Sequence, residues 1–272
     1  MLELDPKIVQ IMAPAMERVL LVDPAPASAR LLSDLLHNIW PGQVWTAPTV
    51  EAGLQMAQGV DPKLLFVEYA GEELDGLRFT RTLRRSALSC RKAPVIMITG
   101  QATPAVILGA RDSGVHEFLR KPFTNRDLVR RIEAVTRFPR DWVEGIGYVG
   151  PDRRRFNSAD YQGARKRNVD AASDPEQARL VQALRIVAAA AEALESDPTQ
   201  ALRALRAQSD ELQRLSKFQP AGALGTAAAG LKACLAEVER GAPLTRTALQ
   251  PHAVALAALM PKDAAALSRS AA

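Results

Sequence analysis

The hydrophobic pattern changes character twice along the chain. From Arg18 to Arg137, short aliphatic runs alternate with stretches of helical period. The runs "RVLLVD", "QVWTA", "KLLFVE", "PVIMIT" and "HEFLR" are too short for helices and suit buried parallel strands. Between them lie "ASARLLSDLLHNI", "TVEAGLQMAQ", "DGLRFTRTLRR", "PAVILGARDSG" and "NRDLVRRIEAVTR", each with helical spacing. Five βα repeats predict a doubly wound parallel sheet with helices on both faces. In such sheets the chemistry sits at the carboxyl ends of the strands, and those ends carry Asp23, Glu68, Thr99 and Lys121.

Residues 138–175 lack either period and are rich in Gly, Pro and Arg, which reads as a linker or extended arm. After it the chain becomes Ala/Leu-rich. Leu180, Leu184, Val187, Ala191 and Leu194 mark one helix face, and Leu202, Leu205, Leu212 and Leu215 a second. Leu224, Leu231, Leu235 and Val238 mark a third, and Val254, Leu256 and Leu259 a fourth. Breaks at "SDP", "FQPAG" and "GAP" fit short connections in a small helical bundle. The organisation expected is an extension over 1–17, an α/β domain over 18–137, the arm over 138–175 and an all-α module over 176–272.

Composition narrows this picture. Apolar residues make up 47% and aromatics only 5%, so both cores must be aliphatic. Cys90 and Cys234 stand far apart with no Cys-x-x-Cys spacing, so neither a disulfide framework nor a metal site is expected. The opening "MLELDPKIVQIMAPAMERVLLV" has no basic leader, and Glu17 and Arg18 interrupt its apolar residues. A cytoplasmic protein without a membrane span is the expectation. From Arg120 to Asn168 there are 13 Lys/Arg against 6 Asp/Glu, so this segment holds more than the whole chain's net charge of +5.

The stretches "LLVDPAPASARLL", "LLFVEYAGEELDGL", "VIMITG" and "EFLRKPF", in this order and spacing, resemble the receiver domain of two-component response regulators. The resemblance implies a flavodoxin-like fold and a site that holds Mg²⁺ between an acidic pair and an acceptor aspartate. A hydroxyl and a lysine contact the phosphoryl group, and an aromatic side chain changes rotamer with occupancy. Asp23, Thr99, Lys121 and Phe118 match the first acid, the hydroxyl, the lysine and the aromatic, and Asp75-Gly76 matches the step that caps the following helix. Two positions depart. Pro24 replaces the second acid and brings neither a carboxylate nor a backbone N–H. Glu68 replaces the acceptor aspartate, and its extra methylene moves the carboxylate by about 1.5 Å. In-line transfer is sensitive to about 1 Å of misplacement, and Mg²⁺ demands near-ideal octahedral oxygen geometry. Neither ordinary phosphorylation nor a bound metal is therefore expected. Glu68 is long enough to reach Lys121. A pair frozen in that contact and a merely inert pocket both fit the residues.

The arm carries a repeat. "YVGPDRR" starts at Tyr148 and "YQGARKR" at Tyr161, which groups Arg153, Arg154 and Arg155 with one tyrosine and Arg165, Lys166 and Arg167 with the other. Guanidinium forks grip phosphates and stack on purines. Similar "Gly-Pro-Asp-Arg-Arg" tails follow the receiver fold in a group of receiver-like proteins, some of which resemble cyclic di-GMP effectors. Tyr148, Arg153, Arg154, Arg155, Arg165 and Arg167 are thus candidate contacts for a cyclic dinucleotide, against the plain alternative of a solvated tether. The helical module is near neutral and offers no basic recognition helix, so DNA is not the expected partner. Its segment "LGTAAAGLKACLAEVERG" loosely resembles the end of a histidine phosphotransfer domain. Leu215 stands where that family's histidine belongs, however. His37 and His116 lie in the α/β domain, and His252 follows Pro251 near an expected helix start. The expected protein is a non-enzymatic adaptor with a degenerate receiver, docking signalling proteins on the receiver or the bundle, with a homodimer as an option. A cyclic di-GMP effector is the alternative.

Overall fold

The computed structural model describes residues 6–71, 74–153, 175–217 and 222–261. The chain divides into two compact units, Met1–Val143 with Tyr148–Tyr161 and Glu144–Gly147 with Gln162–Ala272.

The first unit begins with α1 (Pro6–Met16) and then alternates β1 (Arg18–Val22), α2 (Pro26–His37), β2 (Gln43–Ala47), α3 (Val50–Val60) and β3 (Leu64–Glu68). Two short strands, β4 (Ala70–Gly71) and β5 (Leu74–Asp75), pair antiparallel before α4 (Gly76–Arg85). The unit continues with β6 (Val95–Thr99), α5 (Pro104–Ser113), β7 (Glu117–Arg120) and α6 (Asn125–Arg137). Strands β2-β1-β3-β6-β7 form one sheet in that order, all parallel. The inner strands β1, β3 and β6 are buried along nearly their whole length, which is why they read as unbroken apolar runs. Successive residues then serve opposite cores. Leu20, Val22, Leu65, Val67, Val95 and Met97 face the side packed by α3, α4 and α5. Val19, Leu21, Leu64, Phe66, Ile96 and Ile98 face the side packed by α1, α2 and α6.

Helix α1 is the one large element of this unit that periodicity did not disclose. Its Met12 and Met16, one turn apart, are buried against the α6 side of the sheet.

The expected linker also differs at its start. Residues 142–144 and 149–151 form a two-stranded ribbon, β8 (Trp142–Glu144) and β9 (Val149–Pro151). Three-residue strands are too short to show a period, and what holds them lies far away in sequence. Gly114 ends α5 in the left-handed region at φ 94°, and a Cβ there would lie 2.7 Å from the Val149 carbonyl oxygen. Glycine thus allows both the turn and the close approach of β9.

The second unit is a four-helix bundle of α7 (Pro175–Glu192), α8 (Pro198–Ser216), α9 (Ala223–Glu239) and α10 (Arg246–Ala257). Each helix packs on the next, and α10 returns to α7 around a core of Leu184, Val187, Leu205, Leu212, Leu231 and Leu235. Two expectations about α10 are corrected. Thr245 caps this helix by accepting from the Ala248 N–H at 3.2 Å, so the helix begins at Arg246 and His252 lies in its middle rather than near its start. That register buries Leu249 and Leu256 and leaves Val254, expected on the apolar face, 61% exposed. No helix among the described residues is long and apolar enough to cross a membrane.

Candidate functional site

Strands β1, β3 and β6 end side by side, and their registers bring Asp23, Glu68 and Thr99 to one edge of the sheet. Asp23 follows Val22 directly, and its N–H donates to the Ala47 carbonyl at 3.0 Å, prolonging the β1–β2 ladder. Its Oδ1 accepts from the Ala25 N–H at 2.8 Å, a local turn that starts α2. At the end of β3, a Cβ on Gly76 would lie 2.2 Å from the Glu68 carbonyl oxygen, so only glycine fits there. Asp75 then caps α4 by accepting from the Arg78 N–H at 2.9 Å, as expected for the acidic-glycine step.

Thr99 is 2% exposed, and its Oγ1 accepts from the Gln101 N–H at 3.0 Å. The Lys121 N–H donates to the Thr99 carbonyl at 2.7 Å, and the Lys121–Pro122 peptide is cis. The Lys121 ammonium projects over the strand ends. It donates to Glu68 Oε2 at 2.6 Å and to Ser28 Oγ at 3.1 Å, and lies 3.9 Å from Asp23 Oδ2. Phe118 is buried in the core on the α3, α4 and α5 side. Asp23, Glu68 and Lys121 thus converge, Thr99 ends the neighbouring strand with its hydroxyl on Gln101, and Phe118 lies in the core. Ser28 is the member that sequence reasoning missed. It sits one turn into α2, and a lone serine there carries no signal of its own.

Burial pushes the Glu68 carboxyl above its usual value of 4.5, and the nearby Asp23 charge acts in the same direction. The hydrogen bond and charge of Lys121 oppose this without cancelling it.

The residues do not fit a magnesium ion. Pro24 supplies no ligand, Asp23 Oδ1 serves the backbone turn, and Glu68 Oε2 is taken by an ammonium. Among the described residues no three His, Cys, Asp or Glu side chains group closely enough to hold a metal. What the arrangement does hold is a carboxylate–ammonium contact between Glu68 and Lys121.

The opposite end of the sheet holds a second polar cluster that the sequence did not announce. Arg84, 1% exposed, donates to the carbonyls of Gly114, Arg91 and Ala93 at 3.0, 2.7 and 2.9 Å, and to His116 Nδ1 at 3.1 Å. The Val95 N–H also donates to Nδ1, at 3.2 Å. Two obligate donors at Nδ1 place the ring proton on Nε2 and make His116 neutral. Burial, then Arg84 and Arg140, hold its pKa well below the usual 6.5. Arg140 donates to the His116 carbonyl, and the Trp142 ring lies 5.3 Å from the Arg84 guanidinium.

The arm residues within the described region belong to this end too. The Tyr148 hydroxyl donates to the Pro151 carbonyl at 2.6 Å, and burial pushes its pKa up to about 12. Arg153 stacks over the Tyr148 ring at 4.4 Å and pairs with Asp112 at 2.9 Å. The other candidates, Arg154, Arg155, Tyr161, Arg165, Lys166 and Arg167, lie outside the described residues.

Residues 19–133 match the family described as response regulator receiver domain. The probable chemotaxis protein CheY of Rhizobium etli is 30% identical over 118 residues, 43% of this chain and 91% of that protein. Chemotaxis protein CheY1 of Helicobacter pylori is 28% identical over 119 residues, 43% of this chain and 95% of its own length. Among solved structures, chemotaxis protein CheY4 of Vibrio cholerae is 23% identical with a TM-score of 0.42, covering 44% of this chain and 99% of that one.

Proposed function

Through residues 19–133 this chain belongs to the response regulator receiver family, and from that premise we propose a non-enzymatic signalling adaptor that works by protein–protein contact without accepting a phosphoryl group. The observation that carries the reading is the 2.6 Å contact between Lys121 and Glu68. In a receiver the lysine serves an incoming phosphoryl group. Here a carboxylate of the chain itself holds the ammonium, and Ser28 and Asp23 close around it. The pocket carries its own anion at the place where signal-dependent charge would arrive. Replacing Asp by Glu there and losing the second acid to Pro24 remove the position of the acceptor and the metal together.

The helical unit lies beyond the family match and supplies the adaptor's second module. The alternative, a cyclic di-GMP effector, gains nothing from the described arm residues. Tyr148 and Arg153 spend their polar groups within the first unit.

The test is incubation of the full chain with a small-molecule phosphodonor and Mg²⁺, read by intact mass. The mass should not change. Restoring P24D together with E68D should recover metal binding, because Asp23, Thr99 and Lys121 are in place. A phosphoryl adduct at Glu68 of the unaltered protein would overturn the proposal.

A further inference from the structure

Residues 76–92 hold six Lys/Arg and no Asp/Glu. On α4, Phe79, Thr80, Leu83 and Arg84 are buried, whereas Arg78, Arg81 and Arg85 share the exposed face at helical spacing. Like charges three and four residues apart destabilise a helix, so this face carries a cost within the monomer. Helix α6, also rich in arginine, carries acids of its own. There Asp127 joins the capping box, Arg137 pairs with Glu133 at 2.9 Å, and Arg131 reaches Glu117 at 3.1 Å. On α4, Arg78 must reach to another helix for a carboxylate, the exposed Glu51 of α3 at 3.3 Å. Arg81 has no ion-pair partner among the described residues.

The helical unit carries the complementary anomaly. Residues 186–202 hold three acids and no base. Glu192 is the last residue of α7, where the helix dipole disfavours an anion, and Glu195 follows it in the turn to α8. Both are exposed, and neither has an ion-pair partner among the described residues. Asp197 beside them caps α8 by accepting from the Gln200 N–H at 3.2 Å. Two exposed surfaces of opposite sign are thus present on the same chain.

We propose that the arginine face of α4 docks the acidic α7–α8 corner of a second copy of this chain. Two copies exchanging the contact make a closed two-fold pair, in which each arginine face meets one acidic corner. A nucleic-acid backbone fits this face less well. Its three exposed arginines offer about three phosphate contacts, well short of the 6–10 of a strongly salt-dependent nucleic-acid binder. The interface is electrostatic and rim-like, so it forms at low salt and weakens as salt rises.

Sedimentation velocity of the full chain over a range of concentrations and salt tests this. The unaltered chain should self-associate at low salt, with the dissociation constant rising at least about tenfold between 50 and 500 mM salt. R81E with R85E should raise it by about tenfold or more, as should E192R with E195R. Combining both reversals should restore association to within about threefold of the unaltered chain. These are exposed positions, and circular dichroism melting checks that each variant keeps its fold. A chain that stays monomeric at low salt would overturn the proposal, as would reversals that fail to rescue one another. Binding of an acidic peptide or an oligonucleotide to α4 without self-association would assign the face to a different partner and sink this one.

Discussion

The two ends of the parallel sheet treat buried charge in opposite ways. At the carboxyl ends, Lys121 meets carboxylates and keeps about a third of its side chain in solvent. At the amino ends, Arg84 is fully enclosed and meets no carboxylate among the described residues, only carbonyl oxygens, an imidazole nitrogen and an indole face. Removing a partner from the first leaves a charge that water can reach. Removing Arg84 strands four acceptors, of which the Gly114 carbonyl and His116 Nδ1 are buried. The difference teaches that the carboxyl ends keep their ammonium open to solvent, while the β8–β9 ribbon is built into the fold through the other end.

The largest expected effect therefore comes from Arg84. Burial draws its pKa down to about 9, still far enough above neutrality for the guanidinium to stay charged. R84A leaves buried acceptors without their donor and should cost about 2–4 kcal/mol in the first unit, read as a shift of its denaturation midpoint. A loss below about 1 kcal/mol would make the two ends equivalent and break the contrast.

Next comes the acid sensitivity of His116. Its folded pKa is depressed, so below about 6.5 the unfolded chain binds a proton that the folded chain refuses. Stability is complete above that pH and falls as pH drops towards the folded value, by up to about 1.4 kcal/mol per pH unit. Urea titrations between pH 7 and pH 5 should show this slope, and H116Q should flatten it. An unchanged slope in the variant would assign the sensitivity elsewhere.

The Glu68–Lys121 pair should matter less. The raised Glu68 pKa has the opposite sign: its contribution is full below the unfolded value near 4.5 and is lost as pH rises through the folded one. At neutral pH, E68Q should change stability by no more than about 1 kcal/mol, and the double-mutant cycle with K121M should give a coupling of similar size. A coupling of zero would turn the held pair into an inert pocket.

The smallest effect concerns the arm. Calorimetric titration of R153A with cyclic di-GMP should match the unaltered protein, because that guanidinium already serves Tyr148 and Asp112. Saturable binding lost in R153A would move the function towards the nucleotide alternative.

Much of this protein was determined locally. Runs such as "KLLFVE" and "PVIMIT" can only be strands buried on both faces, since so short an apolar segment has no polar side to present to water. The same runs end in Glu68 and Thr99, so the place of both residues at strand ends was legible in the sequence. Capping signals also act within a few residues, which is why Asp75 caps α4 as its acidic-glycine step implies. Tertiary structure decided what depends on distant partners. Ser28 reaches Lys121 across 93 positions, and α1 is shaped by burial of two methionines rather than by a long period. Trp142, His116 and Arg84 become one cluster only when β6, β7, α4 and the ribbon come together. A charged residue in "DGLRFTRTLRR" looks the same whether it ends in water or in a cage of carbonyls, because the enclosing atoms come from elsewhere in the chain.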